Sequence, residues 1–258
     1  MYREKTNYNI QIVENAFDVL EQFKDNVEEL GVTDLSRLLK IHKNKVYRLL
    51  ATLESLNYIE QNKVTANYRL GLKNLQLGQT FLKKTGLLRH ARPVLECVSR
   101  QCYETSMVSV LDDSQVIYLD AVESVLPVRV VPQCGITFPF HCTAAGKVLA
   151  AYRHGDDLSK YVQSCELKRY TTKTITDAEQ LTTHLKDIVE AGFAVNNEEL
   201  NPGVTCVGAP VRDFTSHVIG AVSVSVPSLR LTAERLHGEL IPLVRGAAID
   251  LSARLGYA

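Results

Sequence analysis

Residues 33–58 read TDLSRLLKIHKNKVYRLLATLESLNY, and two short amphipathic helices are written into them. The first places Leu35, Leu38 and Leu39 on one face, with Thr33 or Asp34 available to cap its start. Residues 40–42 break the pattern. The second spaces Val46, Leu49, Leu50, Leu53 and Leu56 as a single stripe at helical period. Near its start, away from that stripe, stand His42, Lys43, Asn44, Lys45, Tyr47 and Arg48. These are donors suited to phosphates and base edges. A stripe that must be buried, opened by a basic, donor-rich turn, describes the recognition helix of a helix-turn-helix. An ordinary amphipathic helix with a solvated face is the plainer alternative.

The next residues narrow the choice. Tyr58, Ile59 and Glu60 read as a strand, 61–67 as a polar turn, and Tyr68, Arg69 and Leu70 as a returning strand. A hairpin directly after a recognition helix is a wing, and its tip offers Asn62, Lys63, Thr65 and Asn67 to a neighbouring groove or phosphate. Between Arg37 and Lys73 lie eight basic residues and two acidic ones, Glu54 and Glu60, although the formal net charge of the chain is zero. Neutrality of the whole therefore conceals a basic surface in register with the motif, which is where polyanion binding is decided.

The 258 residues suit one large or two modest domains, and 45% hydrophobic with 22% charged residues is the balance of a globular protein. No apolar run approaches the ~20 residues of a membrane span. The opening MYREKTNYNI has no apolar segment of a secretory signal, so a reducing cytoplasm is expected. The six cysteines (Cys97, Cys102, Cys134, Cys142, Cys165 and Cys206) form no CxxC and no zinc-finger spacing. Neither a structural zinc, a disulfide framework nor a cofactor is expected; buried thiols are.

In chain order, residues 1–8 are polar and a disordered tail is expected there. Asn9 can cap a helix reaching about Lys24, with Ile10, Val13, Phe17 and Leu20 on its inward face. An acidic loop follows at 25–31. After the wing, Leu72, Leu75, Leu77, Phe81 and Leu82 mark a linker helix ending near Gly86. A second unit begins near Leu87, with Pro93 in the first turn of a helix that turns Val94, Leu95 and Val98 inward. Strands are expected at 106–111, 116–122 and 128–131, the first two joined by a turn at 112–114. Thr143 caps the helix AAGKVLAAY, and shorter and longer helices follow at 156–162 and 176–191, the latter ended by Gly192. Strands return at 193–196, 206–212 and 218–226. The last reads GAVSVSV, so Ser223 and Ser225 share a face, toward solvent or toward a pocket. Thr232 caps a closing helix with Leu236, Leu240, Leu243, Val244 and Leu251. Strands and helices mixed in this way give an α+β sensor-like domain.

Some motifs point elsewhere and fail. His141 beside Cys142 suggests a catalytic pair, but neighbouring residues diverge and no third group orients them. AAGKV shares only Gly-Lys with a phosphate-binding loop. Cys206 reads as a buried filler ahead of a reactive thiol.

The chain resembles the IclR-type bacterial transcriptional regulators over nearly its full length. The stretches that carry the resemblance are VTDLSRLLKIHKNKVYRLLATLESLNYIEQ, NYRLG, FPFHCTAAGKVLAA, AGFAVNNEELNPGVTCVGAPVRD and GAVSVSVPSLRLT. The last three, in that order and at that separation, form the specific signature. The resemblance implies an N-terminal winged helix-turn-helix over 9–71, a linker helix over 72–86 and a GAF-like effector-binding domain over 87–258, an antiparallel sheet flanked by helices. It implies DNA contacts from His42, Lys43, Asn44, Lys45, Tyr47, Arg48 and the wing residue Lys63, with Arg48 matching a recurrent family arginine. It implies an effector pocket at Ala144, Ala145, Gly146, Asn196, Val204, Cys206, Ser223 and Ser225. Two positions depart from the family pattern. His42 stands where many members have proline, and Asn196 where aspartate is common; an amide both donates and accepts, a carboxylate only accepts. The expected function is a cytoplasmic, ligand-responsive DNA-binding regulator of small-molecule catabolism. It would bind a pseudopalindromic operator as a homodimer or dimer of dimers and respond to an organic acid, without membrane or metal. A metabolite-processing enzyme fused to a DNA-binding module, using Cys142 or Cys206, is the alternative.

Overall fold

In the computed structural model, which describes residues 9–24, 27–84, 86–153 and 155–257, the chain divides after Lys84 into two units. The 1–8 tail, residues 25 and 26 of the acidic loop, and the side chains of Phe81 and Leu82 lie outside the described residues.

The first unit comprises α1 Gln11–Glu21, α2 Val32–Leu39, α3 Lys43–Ser55, the strands β1 Ile59–Gln61 and β2 Tyr68–Leu70, and α4 Leu72–Lys84. The stripe of α3 is its centre: Val46, Leu49, Leu50 and Leu53 are buried against Val19, Leu35, Ile59 and Tyr68. Leu56, the last of the expected stripe, is exposed where the helix ends. The break between α2 and α3 is made at Lys40, whose left-handed backbone (φ 55°) turns the chain within one residue. Gly31, not Thr33 or Asp34, is the N-cap of α2. His42 caps α3, its Nδ1 accepting from the Asn44 N–H at 3.3 Å. The β1–β2 hairpin pairs Ile59 with Leu70 and Gln61 with Tyr68. Gly71 then lets α4 start against the wing, since a Cβ there would lie 2.4 Å from the Asn57 carbonyl oxygen. The Asn74 amide fixes that start by donating to the Tyr58 carbonyl at 2.6 Å.

The first helix differs from expectation. Ile10 is its N-cap, and the Asn9 amide donates to Glu14 instead. Its inward face is Asn15 and Val19, so Ile10, Val13 and Phe17 point outward, 64%, 50% and 61% exposed. An apolar stripe identifies a face that avoids water but not which neighbour will cover it.

The second unit is built on a six-stranded antiparallel sheet in the order β5-β4-β3-β8-β7-β6. Its strands are β3 Thr105–Asp112, β4 Gln115–Val122, β5 Thr137–Pro139, β6 Ala194–Asn197, β7 Val204–Arg212 and β8 Val218–Pro227. Alternation in β8 sorts its two faces. Val222, Val224 and Val226 pack against α5 Gly86–Cys102 and α10 Ile241–Arg254. Ala221 faces α6 Ala144–Arg153, with α7 Leu158–Ser164 and α8 Ala178–Ala191 closing the same side. Ser223 and Ser225 share that side and are buried, so neither faces solvent. A one-turn helix α9 Ala233–Arg235 and a π-type turn, Leu236–Leu240, lead into α10.

Three boundaries moved. Helix α5 begins at Gly86, which puts Pro93 in its middle. Asp177, not Thr176, caps α8, its carboxylate accepting from the Gln180 N–H. Residues 128–131 pair with no strand, and β5 takes the sheet edge instead. Pro127 and Pro132 flank that segment and cannot donate to a ladder; its Val128 and Val130 carbonyls are taken by the side chains of Arg230 and Thr105. At the other edge β6 pairs only with residues 205–208 of β7, so 209–212 run on with no strand beside them, and the Arg212 N–H donates to Ser252 Oγ instead.

Candidate functional sites

In the first unit, His42, Lys43, Asn44, Lys45, Tyr47 and Arg48 are all exposed at the start of α3, opposite its buried stripe. Among the described residues Lys43, Lys45 and Arg48 form no ion pair, whereas Arg37 pairs with Asp34 and Arg69 with Glu60. Three unpaired cations are thus gathered at the start of α3. At the wing, Lys63 is exposed and unpaired, but two of the expected tip donors are occupied. The Asn62 amide and the Thr65 hydroxyl donate to the two oxygens of Glu29 at 2.6 and 2.7 Å. Those bonds hold the Glu29 carboxyl below its usual range. The Asn62 carbonyl oxygen also accepts from the Val64 N–H and shapes the turn. The wing is a braced loop that leaves Lys63 and the exposed Val64 at its tip.

The second unit holds a cavity of about 100 Å³ on the α6 side of the sheet. Its walls are strand residues of one face, Met107, Tyr118, Phe138, Asn196, Cys206 and Ser225, with Thr143 at the mouth of α6. Val204 and the loop residues Leu200 and Asn201 close one end, and a strap at residues 130–133 closes the other. No charged residue lines it. Of the residues expected at a pocket, Asn196, Val204, Cys206 and Ser225 come together here. Ala144, Ala145, Gly146 and Ser223 do not reach the lining. The first three are small because α6 lies on the sheet. A Cβ on Gly208 would stand 3.1 Å from Ala144 C and Ala145 N, and one on Gly146 would stand 2.5 Å from Phe140 Cα. Ser223 Oγ is buried without a partner beneath the helix. The N-terminus of α6 is partly spent, since Thr143 Oγ1 accepts from the Gly146 N–H. Met107, Tyr118, Phe138 and the strap were missed by sequence reasoning. The period-two faces of β3 and β4 could have indicated Met107 and Tyr118; nothing local marks the strap.

The strap is latched at two carbonyls. Thr105 Oγ1 donates to Val130 O at 2.6 Å, and Arg230 Nη1 to Val128 O at 2.6 Å. Arg230 is itself held on the fully buried Glu104 carboxylate, which also receives Arg235.

Behind the Asn196 wall lies a second buried ion pair. Lys147 Nζ donates to Glu199 Oε1 at 2.6 Å, to Val195 O at 2.7 Å and to His184 Nε2 at 3.3 Å. Burial pulls the Lys147 pKa down and Glu199 draws it back up. His184 is also pushed down, by burial and by the adjacent ammonium, which keeps Nε2 an acceptor. The Glu199 N–H donates to Asn196 Oδ1 at 2.7 Å, so the amide at the departing position uses its oxygen inward and retains its NH₂. An aspartate there would set a second carboxylate beside the buried pair.

Cys142 and Cys206 are not placed as nucleophiles. Burial pushes Cys142 up to about 12 and Cys206 up to about 11, leaving both as thiols near neutral pH. His141 Nε2 donates to the Lys168 carbonyl at 2.9 Å rather than engaging Cys142. Among the described residues no cluster of His, Cys, Asp and Glu could hold a metal, and no helix is long and apolar enough to cross a membrane.

Residues 12–63 match the family model described as the IclR helix-turn-helix domain, and residues 79–253 that of the bacterial transcriptional regulator IclR C-terminal. The chain is 34% identical over 254 residues to the HTH-type transcriptional regulator KdgR of Escherichia coli, covering 98% of this chain and 96% of the relative. It is 32% identical over 248 residues to the HTH-type transcriptional regulator XynR of the same organism, covering 96% and 98%. The crystal structure of Thermotoga maritima IclR superposes with a TM-score of 0.77 at 26% identity, covering 96% of this chain and 100% of that one.

Proposed function

The chain belongs to the IclR family of bacterial transcriptional regulators, a ligand-responsive DNA-binding regulator and not an enzyme, and from that premise we propose how its residues divide the work. Residues 9–71 read DNA, 72–86 connect, and 87–258 bind the effector. Helix α3 enters a major groove, with Lys43, Asn44, Lys45, Tyr47 and Arg48 on bases and phosphates and His42 holding the first turn. Lys63 touches the neighbouring backbone from the wing. The observation that carries this reading is the turn of unpaired cations at the start of α3, backed by a stripe the core requires. One such module spans too few base pairs for useful specificity, so a two-fold dimer on a pseudopalindrome is the working form. The exposed apolar faces of α1 and α4 (Phe17 and Val13; Leu72 and Leu75) supply its contacts, and pairing of dimers is the further step. The place of action is the cytoplasm.

The effector is a small organic acid held in the strapped cavity, near Asn196, Val204, Cys206 and Ser225, with Ala144, Ala145 and Gly146 setting the approach of α6 and Ser223 lying beneath it. No cation lines that cavity, so the acid would be received by neutral donors: the Asn196 and Asn201 amides, the Ser225 hydroxyl and the start of α6. A volume of about 100 Å³ holds about three waters, and a larger metabolite enters by displacing residues 130–133. The ligand acts only so far as it favours one arrangement of the reading heads over another.

The test is salt-dependent binding to the DNA flanking the protein's own gene, with and without a panel of small organic acids. We expect tight binding that one acid shifts. Arg48→Ala and Lys45→Ala should each lower the salt slope by about one and leave ligand binding intact. If both variants footprint like the parent, the assignment of α3 is wrong; if no acid alters binding, the ligand class is.

A further inference from the structure

Where β6 stops, β7 continues without a neighbouring strand through residues 209–212, and beside it the surface opens into a notch of about 370 Å³. Arg212 and Arg245 line it with Tyr152 and Tyr257, over a floor that includes Ala209 and Ala248. No aspartate or glutamate is among its lining residues, while the cavity under the strap has no charged lining residue at all. Arg212 is held in advance. Its guanidinium lies 4.8 Å from the Tyr152 ring and 5.8 Å from the Tyr257 ring, and Nη1 donates to the Ser216 carbonyl at 2.8 Å. Its Nε and Nη2 edge has no partner among the described residues. Arg245 makes no hydrogen bond or ion pair among them either, and its Nη2 stands 3.8 Å from where a Cβ on Gly192 would be. Gly192 is the left-handed cap of α8 (φ 76°). The guanidinium thus lies beside the C-terminal end of that helix, where positive charge is favoured.

Two guanidinium forks with free donors match the paired oxygens of a carboxylate or phosphate. A fork already stacked in place loses little freedom on binding. The small apolar floor suits a short carbon body, and the volume falls within the ~300–1,000 Å³ range of metabolite pockets.

We propose that this notch is a second small-molecule site, for a small organic anion bearing a carboxylate or phosphate, separate from the cavity under the strap. The two sites share elements. Strand β7 carries Cys206 at the cavity and Arg212 at the notch, and α6 has the cavity residue Thr143 directly before its start and the notch residue Tyr152 near its end. The site therefore stands whether or not the cavity binds the effector.

The experiment is calorimetric titration of the full chain with succinate and, separately, with inorganic phosphate. At least one probe binds, and the arm that responds names the headgroup. Arg245→Gln, at an exposed position that leaves folding intact, weakens that probe at least about tenfold, as does Arg212→Gln, while Cys206→Met in the cavity leaves it unchanged. Absence of binding by both probes at millimolar concentration overturns the proposal. So does an affinity that survives Arg245→Gln, or one that Cys206→Met abolishes.

Discussion

Lys147 is a charge at zero exposure whose ammonium is spent on Glu199, Val195 and His184. In the sequence it belongs to a Gly-Lys that resembles a phosphate loop and fails the spacing; its partner lies 52 residues on, beyond any local pattern. Its role follows from burial, since a lone carboxylate in that place has no water to turn to. Lys147→Met is expected to cost about 3–5 kcal/mol of the second unit's stability, because Glu199 is left charged and uncompensated. Urea unfolding measures this. The double variant Lys147→Met with Glu199→Leu should recover much of the loss, since removing both charges ends the desolvation cost. A single variant as stable as the parent would show that the pair does not anchor the Asn196 wall. The residue scale is also where Asn196 can be understood: its oxygen faces Glu199 and its NH₂ is the group left for a ligand.

At the scale of elements, the strap is held to the sheet by Thr105 and Arg230. Thr105→Val keeps the shape, removes the donor to Val130 O and leaves the Ser124 N–H without its acceptor, a loss of about 1–3 kcal/mol. Amide hydrogen exchange over residues 126–133 should quicken in that variant while the first unit is unaffected. An unaltered strap would mean that Arg230 alone suffices. Elements of this protein were legible where a period governs them. Helix α3, the wing and strand β8 follow from spacing, because each has one side that must leave water and residues that set its ends. The strap reads as a strand in the sequence because Val128 and Val130 alternate like one. What decides against it is partly local, the prolines at 127 and 132, and partly remote in sequence: a threonine hydroxyl and an arginine that occupy the carbonyls a neighbouring strand would need. Helix α1 stands where the spacing puts it, and of its expected inward face Leu20 packs on the core while Ile10, Val13 and Phe17 turn outward, since they satisfy the same spacing as the face that is buried. Half of the expected pocket failed to reach the cavity for a related cause. Small residues at 144–146 permit close approach, and here the closest approach is to the sheet at Gly208.

For the whole molecule, the outward face of α1 is the place to test assembly. Each phenylalanine covered contributes about 1.5–3 kcal/mol, and a two-fold contact counts it twice. Phe17→Asp should therefore weaken self-association by about a hundredfold or more, seen as a shift toward monomer in sedimentation and a matching loss of operator binding. Association equal to that of the parent would remove α1 from the contact. The sheet carries a different lesson. Its outer strands, β5 and β6, are three and four residues long, and the bare stretch of β7 beside β6 includes Pro210, which has no N–H to offer. Edges this short and interrupted give a stray extended chain nothing to zip along. The sheet therefore resists strand-by-strand pairing between copies, even when many of them accumulate.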